Sequence, residues 1–143
     1  METLTVSGIL DSLAPIAQYV MAAATEAGLE KKAAYKLRLA VDEMASNIII
    51  HGYQEPGLTG DIVLNATLTD QQLVVTLEDT ALPYDPTTHN LPTEEDLARA
   101  LIQRPHGGLG IFLVLDGVDD FAYERVGDRN RNVFVMKLPK VTD

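Results

Sequence analysis

Glu43 and Asn47 stand four residues apart in the stretch Leu37–His51, Asp79 closes an alternating apolar run, and His106-Gly-Gly-Leu-Gly110 precedes an apolar stretch. A carboxylate and an amide one helical turn apart can hold a ligand at the edge of a core. An aspartate at a strand end can accept a hydrogen bond from a ligand amine, and small residues after it let a flat group approach the backbone. Glycines ahead of a helix let backbone N–H groups converge on an anion, and the start of the helix favours negative charge. Taken singly, each patch has a plain structural reading. Glu and Asn at this spacing are a common polar flank, Asp79 can simply end a strand in a turn, and a lone GGxG is an ordinary helix opening.

These residues need elements to position them. Ala34, Leu37, Val41, Met44, Ala45 and Ile48 recur at steps of three and four, which predicts one long helix over Glu30–His51 with a buried face. Glu43 and Asn47 fall on the flank of that face, with His51 one turn further. Leu39 and Ile50 lie off the stripe and are expected to pack on the preceding helix or a partner. That preceding helix carries Leu13, Ile16, Val20 and Ala24, with Asp11 or Ser12 as its cap and Gly28 closing it. A short strand at Leu4–Val6 comes before it. Asp61–Leu68 and Gln72–Asp79 alternate and form a hairpin around Thr69-Asp-Gln71. Residues 80–93 read as a loop, 94–102 as a short helix, and Ile111–Leu115 as a helix. Two last strands, Asp120–Val126 and Val133–Leu138, flank a turn at Gly127–Asn130. Strands arriving in hairpins predict an α+β fold, a two-layer sandwich of a mostly antiparallel sheet with helices on one face. No linker or repeat divides residues 1–143, so a single domain is expected.

Composition narrows the chemistry. The 143 residues contain no cysteine, which excludes disulfides and thiolate-bound metal and suits a reducing cytosol. His51, His89 and His106 form no HExxH-type pair. A net charge of −10 opposes binding to nucleic acid or to an anionic membrane and would suit a basic protein partner. No apolar run reaches the ~20 residues of a membrane span. The amino terminus lacks the basic start and apolar run of a signal peptide, so a cytoplasmic protein is expected.

Read together and in order, the three patches resemble the ATP-binding boxes of the GHKL ATPase superfamily, with its Bergerat-type sandwich. Within it, the chain most resembles the anti-sigma-factor serine/threonine-protein kinases of bacterial partner-switching systems. The first box is Asp42-Glu43-Met-Ala-Ser-Asn47 followed by His51-Gly52. The second is Asp79-Thr80-Ala81 with Tyr84-Asp85-Pro86, and the third is Gly107-Gly108-Leu109-Gly110-Ile111. The resemblance implies that Asn47 holds Mg²⁺ and that Glu43 is the general base for an attacking serine hydroxyl. It implies that Asp79 recognises the adenine amino group, that Gly107, Gly108 and Gly110 wrap the triphosphate, and that Arg104 is a candidate phosphate partner. His51 and His106 are expected to be structural, and the segment around 94–102 occupies the place of the family's lid.

Two positions depart from the family pattern. Ala81 replaces the glycine of the second box, where its methyl is expected to crowd the adenine or narrow the pocket. Asn132 stands where the family often has a threonine touching the adenine side. The implied function is an ATP- and Mg²⁺-dependent kinase that binds a sigma factor and phosphorylates a serine on an anti-anti-sigma factor, in a family that commonly works as a dimer. The alternative is a non-catalytic module, perhaps ATP-binding, that sequesters a protein. A sensor histidine kinase catalytic domain ranks below both, because that type follows a dimerisation domain carrying the phosphoacceptor histidine.

Overall fold

Two helices form where apolar residues repeat with helical spacing, and both bury that stripe. In the computed structural model, which describes residues 1–83 and 116–139, these are α1 (Leu13–Ala27) and α2 (Lys31–Asn47). Ile16, Val20 and Ala24 on α1 are fully buried, as are Leu37, Val41 and Ala45 on α2, with Met44 nearly so. Ser12 precedes α1 after a single 3₁₀ turn, Leu10–Ser12, but its side chain makes no capping hydrogen bond. The expected cap is absent because Ser12 already has helical backbone angles (φ −78°, ψ −11°), unlike the extended geometry that a capping side chain needs. Leu39 and Ile50 are half-buried.

The α-helical form of α2 ends earlier than the spacing predicts. From Ile48 to Gln54 the chain continues as a π-helical segment, with Glu55 N–H donating to Ile50 C=O at 2.9 Å and Leu58 N–H to Tyr53 C=O at 2.8 Å. Such wide turns are rare and recur at functional sites. Ile49 and Tyr53, four residues apart on this segment, are both almost fully buried.

The sheet is built from β1 (Leu4–Ser7), β2 (Asp61–Leu68), β3 (Gln72–Asp79), β4 (Asp120–Val126) and β5 (Arg129–Lys137). Their spatial order is β1-β2-β3-β5-β4, and every neighbouring pair is antiparallel. Alternate residues point to the helices. Ile62, Leu64 and Ala66 of β2, Leu73, Val75 and Leu77 of β3, and Phe134 and Met136 of β5 are buried against α1 and α2. Phe121 of β4 meets Phe134 edge-on, with ring centroids 5.1 Å apart. This is the expected two-layer α+β sandwich. Among the described residues, no helix is long and apolar enough to cross a membrane.

One strand boundary departs from the sequence reading, and it matters for the site. The turn between β4 and β5 is two residues, Gly127-Asp128, because Val126 pairs with Arg129. Gly127 has φ +64°, the sign that tight hairpin turns demand and that glycine adopts without strain. Arg129 and Asn130, expected in the turn, therefore belong to β5, which begins at Arg129 rather than at Val133. That register sets Asn130 beside Asp79 on the central strand.

Candidate functional site

Asp79 is the last residue of β3, on the helix-facing side of the sheet, and it is 2% exposed. Its Oδ1 accepts the Ala81 N–H and the Asn130 Nδ2–H, each at 2.9 Å. Among the described residues, its Oδ2 has no partner, and neither does Oδ1 of the equally buried Asn132. An unpaired buried acceptor is costly, so two of them beside a cavity are a signature of a ligand that brings donors. Burial pushes the Asp79 carboxyl above its ordinary pKa. The Asn130 hydrogen bond, the Ala81 N–H and the Arg125 charge oppose that rise.

The cavity holds about 200 Å³ and lies between the C-terminal end of α2, the π-helical segment and the ends of β3 and β5. Asn47, His51, Gly52, Asp79, Asn130 and Asn132 are among its lining residues. The structure thus brings together Asn47 of the first patch and Asp79 of the second, which are 32 positions apart in sequence. Glu43 is half-buried one turn before Asn47 and is not among the lining residues. Beside it, burial raises the Asp42 carboxyl pKa, an effect that the Arg38 charge partly offsets.

The π-helical segment holds the cavity's floor in place. Tyr53, 1% exposed, donates its hydroxyl to Asp61 C=O at 2.7 Å and accepts the Thr80 N–H at 3.0 Å. Leu82 N–H reaches Gly52 C=O at 3.3 Å. The turn that follows Asp79 is thereby tied to the end of α2 by backbone and by one buried hydroxyl. His51, expected to be only structural, lines the cavity with its Nδ1 2.9 Å from both carboxylate oxygens of Glu55.

Ala81 does not crowd the cavity. It is 3% exposed, belongs to the core cluster and is not among the lining residues. Its methyl is turned against Gly52, where an added Cβ would lie 2.7 Å away. The extra carbon at 81 is accommodated by the missing carbon at 52. Gly52→Ala should therefore destabilise the fold by about 1–3 kcal/mol, the usual cost of overpacking. Adding Ala81→Gly to the same chain should recover most of that loss in urea unfolding.

Asn130 is the residue that sequence reasoning missed. A signal existed in the Gly-Asp dipeptide at 127–128, which suits a two-residue hairpin, and in the alternation Asn130, Asn132, Phe134, Met136. Tyr84, Asp85, Pro86, Arg104, His106 and the run Gly107, Gly108, Leu109 and Gly110 lie outside the described residues, as do His89 and the expected helices at 94–102 and 111–115.

A family model described as "Histidine kinase-like ATPase domain" matches residues 6–138. The chain belongs to that family. Membership places it in the GHKL superfamily and supports ATP as its ligand, with Mg²⁺ the usual companion. Among solved structures, the chain is similar to the histidine kinase domain from the Erythrobacter litoralis EL346 blue-light activated histidine kinase. The TM-score is 0.56 and the identity 19%, covering 90% of this chain and 60% of that one. A likeness at that identity supports the histidine kinase-like ATPase fold and nothing finer. No curated protein matches the sequence. The residues present suit the family's nucleotide, since two unpaired buried acceptors suit an aminopurine and the Asn47 amide offers a hard oxygen to magnesium.

Proposed function

We propose that this chain is an ATP-dependent protein-serine/threonine kinase of the anti-sigma type, acting in a bacterial partner-switching system. It would bind a sigma factor and phosphorylate a serine on an anti-anti-sigma antagonist, in the cytoplasm, as a dimer. The observation that supports the nucleotide site best is the unpaired Oδ2 of buried Asp79 in a cavity shared with Asn47. The choice of protein partners rests on the likeness of the three sequence boxes.

ATP with magnesium would supply an activated phosphoryl group whose charge is already partly neutralised. The chain's own residues would do the rest. Asp79 and Asn132 would accept hydrogen bonds from the base, and Asp79's burial makes that contact stronger than it would be in water. Asn47 would offer its side-chain carbonyl to the metal. Glu43, one turn back on α2, would take the proton of the acceptor hydroxyl. Phosphoryl transfer needs mainly position and charge neutralisation, so this modest set suffices. Gly107, Gly108, Leu109, Gly110 and Arg104 would enclose the phosphates. The sequestering-only alternative drew its support from Ala81, and the methyl's position against Gly52 removes that support.

Calorimetric titration of Mg-ATP tests the site. The wild type should bind saturably and in a Mg²⁺-dependent way, and Asn47→Ala should weaken that binding by about tenfold or more, as loss of a charge-assisted contact does. A folded wild type that ignores millimolar ATP would overturn the proposal.

A further inference from the structure

Asn130 has all of its hydrogen-bonding capacity in use, and the four partners fix its orientation. Nδ2 donates to Asp79 Oδ1 and to Ala81 C=O, both at 2.9 Å. Oδ1 accepts from Tyr123 Oη at 2.6 Å and from Arg125 Nη1 at 2.9 Å. A guanidinium can only donate and a carbonyl can only accept, so the reversed amide would face Arg125 with a donor and Ala81 with an acceptor. The orientation is therefore dictated by its surroundings. Asn130 is 3% exposed, whereas Arg125, its partner on the edge strand β4, is exposed although it shares the helix-facing side of that strand with Phe121 and Tyr123.

The consequence falls on Asp79. A carboxylate has two equivalent oxygens and can swing about its Cβ–Cγ bond. Here one oxygen is held twice, by Ala81 N–H and by Asn130, and the other has no partner among the described residues. We propose that Asn130 is the positioning residue for base recognition: it occupies one oxygen of Asp79, leaves the other for the base amine, and is itself locked from the edge strand by Tyr123 and Arg125. This rests on the proposed nucleotide site. It makes base selectivity depend on an exposed arginine that does not line the cavity.

The test compares ATP with inosine triphosphate, which has the same sugar and phosphates but an oxo group in place of the amine. Calorimetry on the full chain gives the affinity ratio of the two, and thermal unfolding reports the state of each variant. Wild type should prefer ATP. Asn130→Leu should lower the ATP-to-ITP ratio at least about tenfold, because the loss falls on the base contact and the phosphate contacts are common to both nucleotides. Arg125→Met combined with Tyr123→Phe, altered outside the cavity, should lower the ratio about threefold or more, and Arg125→Lys alone should keep it. If Asn130→Leu does not fold, the edge-strand variants decide the matter by themselves. A folded variant set that keeps the wild-type ratio overturns the role of Asn130 and leaves the nucleotide site standing. A wild type that binds both nucleotides equally overturns base reading by Asp79, and the role of Asn130 with it.

Discussion

Replacing Asp79 by asparagine should weaken Mg-ATP binding on the order of 100-fold and raise the melting temperature of the nucleotide-free protein. The two effects share one cause. Asp79 is 2% exposed, and burial raises its pKa because a charge shut away from water is poorly solvated. Asparagine at this position keeps an oxygen for Ala81 N–H and Asn130 Nδ2, and it turns the unpaired Oδ2 into an uncharged NH₂. The folded protein then no longer holds a buried, half-satisfied carboxylate. A gain of ~1 kcal/mol would lift the melting temperature by about 3–4 °C in a domain of this size. The same NH₂ meets the base amine donor to donor, which removes a charge-assisted bond worth about 1.5–3 kcal/mol and adds a repulsion.

The sign of the pH dependence follows from the raised pKa. The folded state holds the Asp79 proton more tightly than the unfolded chain does. The stability this contributes is fully present below the ordinary value of 3.8 and is lost as pH rises through the folded-state pKa. Asp42 acts in the same direction, also through burial. Asp79→Asn should therefore gain melting temperature relative to wild type as pH rises from strongly acidic to neutral, because it removes this one group's loss of stability. A scan of melting temperature against pH for the two proteins checks this. A variant that melts lower than wild type at neutral pH would mean that the carboxylate stabilises the fold.

How far the sequence revealed this site depends on whether a residue's role is set locally. The stripe on α2 and the alternation of β2 and β3 are local periodicities; the two strands lie where those periods put them, and α2 does too up to Asn47. Asp79 was legible as a strand-ending acceptor because both its neighbours and its position said so. Asn130 was hidden by the polar run Arg129-Asn-Arg-Asn132, which looks like a turn until the inward alternation is traced back from Phe134. The direction of the Ala81 methyl was not legible, since it depends on a contact with Gly52, 29 positions earlier, across the floor of the site. The π-helical segment left no mark in composition, because a shift from i→i−4 to i→i−5 bonding needs no special residue. What was missed was a local change of helical bonding, a hairpin register and one tertiary contact, and each bears on how Asp79 is held.

Glu43→Gln should separate binding from chemistry. Glutamine matches glutamate in size and keeps an acceptor oxygen, so the half-buried flank of α2 should pack as before. Glu43 is not among the residues lining the cavity, whereas Asn47, one turn later, is. If Asn47 and Asp79 hold the nucleotide, the variant's affinity for Mg-ATP should stay within about threefold of wild type. The amide cannot take up the proton of an acceptor hydroxyl, and loss of a general base typically slows a reaction by about 10²–10⁴-fold. Transfer to a serine-bearing protein partner, followed with γ-labelled ATP, should fall by that amount, and phosphate release to water should fall in parallel. Equal loss of binding and transfer would make Glu43 a ligand-holding residue rather than a base. Transfer at the wild-type rate would remove it from the chemistry, and Asp42, whose carboxyl pKa is raised on the same turn of α2, would be the next carboxylate to test.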